Sequence, residues 1–117
     1  MAKAKNAVIA GDYEGKKVTY SSGKIRIDLG ISKKVEINKE TIENYELITD
    51  EHRKSAASGA ARGLVGGFLL GPAGLIAGGL SAKSKGIYQV AIEFKDGTKS
   101  LVELDDKIYK ELIRVCF

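Results

Sequence analysis

One histidine, one cysteine, two acidic pairs and one glycine-rich run are the residues of this chain whose types invite chemistry. His52 has no second histidine with which to share a metal and no cysteine near it, so a polar surface is its expected place. Cys116, the only cysteine, cannot close an internal disulfide, and nothing argues for an oxidising compartment. It falls on the apolar stripe of a C-terminal helical pattern, the position of a packed small hydrophobe. Asp50-Glu51 and Asp105-Asp106 each open a helical pattern, where carboxylates meet free backbone N–H groups; they read as helix starts, not as acid/base pairs. The run GLVGGFLLG (63–71) has the glycines of a phosphate loop. It lacks the terminal Gly-Lys-Ser/Thr, and it follows a helix-like stretch instead of a strand. No Gly-x-Ser-x-Gly and no Cys–His pair occurs. The expectation is a protein that is not an enzyme, with no catalytic residues, no metal and no cofactor.

What remains is the glycine run itself. Residues 59–83 hold eight of the fourteen glycines, the only proline and no acidic residue. Gly59, Gly63, Gly67 and Gly71 are four apart and form one groove on a helix, and Gly74, Gly78 and Ala82 form another. An interior glycine costs a helix about 1 kcal/mol relative to alanine, so such a run requires close backbone packing in return. Gly71-Pro72 is the punctuation of a helical break. If the chain folds back there, Gly71 faces Gly74, Gly67 faces Gly78, Gly63 faces Ala82, Gly59 faces Gly86 and Gly66 faces Gly79. The spacing therefore predicts a tight antiparallel helical hairpin over residues 51–85. A single transmembrane helix over Gly63 to Leu80 is the rival geometry, at roughly 27 Å. It would strand the two halves of the surrounding sheet on opposite sides of a membrane, with open edges, and is set aside on that ground.

The elements around the insert are ordinary. GKIRIDLG alternates with Ile25, Ile27 and Leu29 on one face, and Val35 and Ile37 continue the pattern in the next run. Gly11, Gly15, Ser21-Ser22-Gly23 and Gly30 supply the breaks, and a fifth strand over Ile42 to Thr49 follows a turn at Asn38-Lys39-Glu40. In IYQVAIEFKDGTKSLVEL a three-residue loop, Lys95-Asp96-Gly97, pairs Phe94 with Thr98, Ile92 with Ser100, Val90 with Val102 and Tyr88 with Leu104. A two-residue turn would put charges on the apolar face. Asp105 then caps a final helix with Ile108, Tyr109, Leu112, Ile113 and Cys116 on one stripe, while Lys107, Lys110, Glu111 and Arg114 face water.

About seven short antiparallel strands followed by one amphipathic helix is an order that resembles a pleckstrin-homology-like (PH-like) barrel. With its GG-rich apolar insert and the EFKDGT strand end, the chain is similar to small bacterial and phage proteins of glycine-zipper type. The resemblance implies an α+β fold: an antiparallel PH-like β-barrel or sandwich with a C-terminal helix plugging its open end and an inserted helical hairpin. One domain, 1–117, then comprises a frame of residues 6–50 and 86–117 and an insert of residues 51–85. PH-like domains often bind phosphoinositide headgroups or peptides, but no motif here carries those binding residues over.

Charge is distributed unevenly. The net charge is +4, yet the only ionic side chains between His52 and Ile92 are Arg53, Lys54, Arg62, Lys83 and Lys85, leaving the rest of the chain at a net of −1. Cations bracketing an apolar segment suit an anionic lipid surface, at about 1 kcal/mol each, or else form a solvated collar. On a hairpin packed through glycine, Leu64, Val65, Phe68, Leu69, Leu70, Leu75, Ile76 and Leu80 face outward. That surface is surplus to the barrel core, so it must enter lipid, pack on copies of itself, or be masked by a partner. The alternative is a hairpin folded onto its own barrel. The expected partners are further copies of the chain, an anionic membrane, or a protein groove, and the expected place is cytoplasmic, including the inner face of the membrane. Nucleic acid is disfavoured, because Lys16-Lys17, Lys24, Arg26 and Lys33-Lys34 alternate with carboxylates and no aromatic platform lies among them.

Overall fold

The structure, a computed structural model, describes residues 6–48 and 86–116. Seven strands form one antiparallel sheet: β1 (Ala7–Gly11), β2 (Lys17–Ser21), β3 (Lys24–Gly30), β4 (Lys33–Ile37), β5 (Ile42–Leu47), β6 (Ile87–Phe94) and β7 (Lys99–Asp105). Their order across the sheet is β4-β3-β2-β1-β7-β6-β5, and one helix, α1 (Asp106–Cys116), follows β7.

The turns set the registers. Ser22 and Gly23 both have positive φ, 51° and 75°, which gives β2–β3 the two-residue connection whose twist suits a hairpin. At β6–β7 the three-residue loop forms as the sequence indicates. Phe94 N donates to Thr98 O at 2.8 Å, Gly97 has φ 93°, and Asp96 Oδ1 accepts from Thr98 N at 2.9 Å. Val90 therefore faces Val102, Ile92 faces Ser100 and Tyr88 faces Leu104. At β4–β5, Asn38 Oδ1 accepts from Glu40 N at 2.8 Å, and Thr41 Oγ1 donates to Glu36 O at 2.7 Å. β5 ends at Leu47, short of Thr49.

The sheet is curled but not closed. β4 and β5 are its two edges, so the closed barrel implied by the resemblance is a half-barrel. The physical reason is the Asn38–Thr41 turn, which spends the Glu36 carbonyl and the next backbone donors on itself instead of on a ladder between β4 and β5. A shallow cavity bordered by Val35, Thr41 and Phe94 marks that seam.

The concave face carries the core. Ile25, Ile27 and Ile37 meet Val90, Ile92 and Phe94 across it, and α1 lays Ile108 and Leu112 onto them. Burying each of those two helical side chains contributes about 1.5–3 kcal/mol. Tyr109, Val115 and Cys116 pack beside them half-buried, so Val115 takes the core contact that the helical stripe assigned to Ile113. The helix is fastened at its start. Asp105 Oδ1 accepts from Ile108 N at 2.8 Å, the N-cap arrangement, and Asn6, just ahead of β1, grips the same residue. The Tyr88 and Tyr109 rings stack at 4.2 Å, tying β6 to α1.

Candidate functional site at the root of the insert

The residues assigned a binding or helix-packing role from the sequence, Gly86 apart, lie between 53 and 83 or at Lys85. All fall outside the described residues, as do the hairpin geometry and the outward apolar set. The structure describes the root from which that segment leaves and to which it returns. β5 and β6 are antiparallel neighbours, with Tyr45 opposite Ile92 and Leu47 opposite Val90. One step further, Ile48 N donates to Gln89 O at 2.9 Å. The two ends of the insert are thus held side by side by the same ladder, so residues 49–85 are an excursion between two paired strands. Gly86 has φ 79° and turns the chain directly into β6. Its left-handed conformation is one that glycine reaches easily, and the facing of Gly59 and Gly86 lies outside the described residues.

The convex face of the sheet divides in two. Over β2–β4 it is a charged lattice: Lys17 lies opposite Asp28, Asp28 opposite Lys34, and Arg26 opposite Glu36. Opposite charges facing one another across strands contribute roughly 0.2–1 kcal/mol each. The lysines at 17, 24, 33 and 34 are exposed there. This is a solvated, charge-alternating face. Over β6 and β7 the same face is covered. Leu101 and Ala91 are 0% exposed, Gln89 is 4% and Glu103 is 5%. Glu103 points away from the concave core and is nevertheless buried. Period-two alternation hid this, although the unbroken runs Val90-Ala91-Ile92 and Leu101-Val102 are the pattern of strands buried on both faces.

The electrostatics of the described surface are local. Asp106 is held below the usual carboxylate range, first by its hydrogen bond with Lys110 and then by the one it accepts from Tyr88. The same Asp106 bond raises the Tyr88 phenol. Burial pushes the Cys116 thiol up to about 11, which fits a packed small hydrophobe rather than a nucleophile. Among the described residues no cluster of three or more His, Cys, Asp or Glu is placed to hold a metal ion, and no helix is long and apolar enough to cross a membrane.

No curated protein and no solved structure matches the chain. A family model described as "Glycine zipper containing PH domain" matches residues 1–104, that is β1 through most of β7 together with the insert. Its two terms agree with a curled antiparallel sheet followed by a helix, and with glycines four apart in the segment that leaves it. The chain belongs to the family of glycine zipper containing PH domains.

Proposed function

We propose that this protein is a non-catalytic binding module in which the PH frame presents residues 51–85 as a contact element. That element carries it to an anionic membrane surface, to further copies of the chain, or to both. PH-like domains are generally non-catalytic binding or adaptor modules, and the family supports that coarse reading. The observation that carries the finer one is the pairing of β5 with β6 up to Ile48 and Gln89. Among the described residues, the concave core is built of frame side chains. The apolar residues Leu64, Val65, Phe68, Leu69, Leu70, Leu75, Ile76 and Leu80 are then surplus to that core.

In this reading Gly59, Gly63, Gly67 and Gly71 pack against Gly74, Gly78 and Ala82. Arg62, Lys83 and Lys85, with Arg53 and Lys54 nearer the root, sit at headgroup level. The tip LLGPAGLI enters the bilayer partway without crossing it. The membrane face is then the cytoplasmic one, and small bacterial or phage proteins are the setting that the resemblance suggests.

The test is flotation of the full chain with anionic and with neutral liposomes, beside light scattering after size exclusion without detergent. Binding to anionic vesicles that is lost in high salt and in Phe68→Asp/Leu75→Asp supports the membrane reading. A discrete oligomer that ignores both vesicles and becomes monomeric in the same variant points to a scaffold of bundled hairpins. A monomer that ignores both refutes a lipid-binding or self-associating element and leaves an adaptor for a protein groove.

A further inference from the structure

One edge of the sheet is left with half of its backbone groups unpaired. Ile48 N donates to Gln89 O at 2.9 Å and Lys95 N to Thr41 O at 2.9 Å, and between those bonds Asn44 lies opposite Glu93 and Glu46 opposite Ala91. Successive residues of a strand point their N–H and C=O groups to opposite sides. Asn44, Glu46 and Ile48 therefore spend theirs on β6, and Tyr45 and Leu47 direct theirs outward. β5 is the last strand of the sheet, and among the described residues nothing bonds to those outward groups. The other edge is guarded. On β4 the Glu36 carbonyl accepts from Thr41 Oγ1 at 2.7 Å, and Lys33 and Lys34 stand exposed along the strand, a common defence of a sheet edge. β5, IENYEL, has neither lysine nor proline. Beside its open edge lies apolar surface: Tyr45 and Leu47 are half-buried against the concave core, as are Tyr109 and Cys116 of α1. Burial raises the Tyr45 phenol, and Cys116 and Tyr109 raise it further, which places the α1 flank close to β5.

We propose that the β5 edge takes an added strand: an extended, basic peptide with apolar side chains at alternate positions, antiparallel to β5 as every neighbouring pair in this sheet is. Backbone pairing with Tyr45 and Leu47 supplies affinity, and every second side chain of the peptide drops onto the apolar surface between β5 and α1. Charge decides the occupant. Glu43 is exposed on β5, and Glu40 is exposed on the turn before it. A second copy's β5 would bring its own Glu40 and Glu43 to the same short edge, where like charges repel. A second copy's β4 carries lysines, but its Asn38–Thr41 turn already occupies part of that edge. A cationic strand from another protein meets carboxylates instead and has its whole backbone to offer. The inference does not involve the insert: it gives the frame a recognition edge of its own, whatever residues 51–85 contact.

The experiment is amide hydrogen exchange and titration by NMR on the full chain, at dilutions where light scattering shows monomer. The probe is the peptide acetyl-Val-Lys-Val-Lys-Val-Lys-amide. With its valines opposite Tyr45 and Leu47, the valine side chains share their face and the valine N–H groups aim at β5. In the free chain the Tyr45 and Leu47 amides are expected to exchange at least about tenfold faster than those of Asn44 and Glu46. Saturation with the probe slows them by about tenfold or more. N-methylation of the valines removes the donors that face β5 and weakens binding at least about tenfold, whereas N-methylation of the lysines, whose donors face away, changes it by less than about threefold. Replacing the lysines by glutamates weakens it by about tenfold. No binding at about 1 mM probe overturns the proposal. Tyr45 and Leu47 amides as protected in the free monomer as those of Asn44 and Glu46 show a covered edge and overturn it too. So does equal loss with either methylation pattern, or equal affinity for the glutamate peptide. Exchange that slows only as the chain associates assigns the edge to a second copy and overturns it as well.

Discussion

Asp105 joins three parts of the fold, and removing its carboxylate tests whether the architecture rests on that junction. One oxygen accepts the Ile108 N–H at 2.8 Å, and the other accepts Asn6 Nδ2 at 3.0 Å. Asn6 Oδ1 in turn accepts the Asp105 N–H at 2.8 Å. Loss of the helix cap costs about 1 kcal/mol, and loss of a charge-assisted, half-buried bond about 1.5 more. Asp105→Ala is therefore expected to destabilise by roughly 2.5 kcal/mol, near 10 °C in Tm for a chain of this length. Asp105→Asn keeps an oxygen for the cap but turns an amide NH2 toward the Asn6 Nδ2 donor, so it forfeits that bond and is expected to cost about 1.5 kcal/mol. Asn6→Ala removes the shared bond and leaves the Asp105 N–H without its acceptor, at about 2 kcal/mol. Because one bond is common to both substitutions, a double-mutant cycle by urea unfolding gives a coupling of roughly 1–1.5 kcal/mol. An Asp105→Ala cost below about 0.5 kcal/mol, or strictly additive single variants, refutes the junction.

Three further outcomes are expected. Ser100 is fully buried with no hydrogen-bond partner for its Oγ; Ser100→Ala leaves stability unchanged or raises it by about 1 kcal/mol in urea unfolding, and a clear loss contradicts the orphan hydroxyl. Gly11→Ala combines φ +103° with a Cβ driven against the Lys99 backbone and costs more than about 2 kcal/mol. Gly30→Ala, at φ +138° with open space around it, loses only the conformational part, about 1 kcal/mol; equal losses at the two sites would show that the close approach is unimportant. Burial lifts the Cys116 thiol from 9.0 to about 11, so at pH 8 a thiol reagent reacts roughly a hundredfold more slowly with the folded chain than with the urea-unfolded one. The sign for stability follows. Above pH 9 the unfolded chain releases this proton while the folded chain keeps it, so the thiol's contribution is complete below pH 9 and is lost as pH rises toward about 11. The difference between the native chain and Cys116→Ser across that window checks it, and a contribution that grows with pH would contradict burial as the cause.

Sequence alone determined what short-range chemistry controls. Gly97 and the count of three loop residues set the β6–β7 register, since a slip by one residue moves every side chain to the other face. Asp105 marked the helix start, the Ile108–Leu112 spacing marked its buried side, and Asn38 marked the turn into β5. The glycine spacing of the insert was equally legible, and the family match names it. Other features depended on which strands come together. The strand order, with β4 and β5 at opposite edges and not paired with each other, includes the long-range pairing of β1 with β7, which no local pattern encodes. The same holds for Leu101, Ala91 and Glu103. Alternation says which residues share a face, but burial of that face depends on what lies over it. Only tertiary structure decided that half of the convex sheet is open to water and the other half is not.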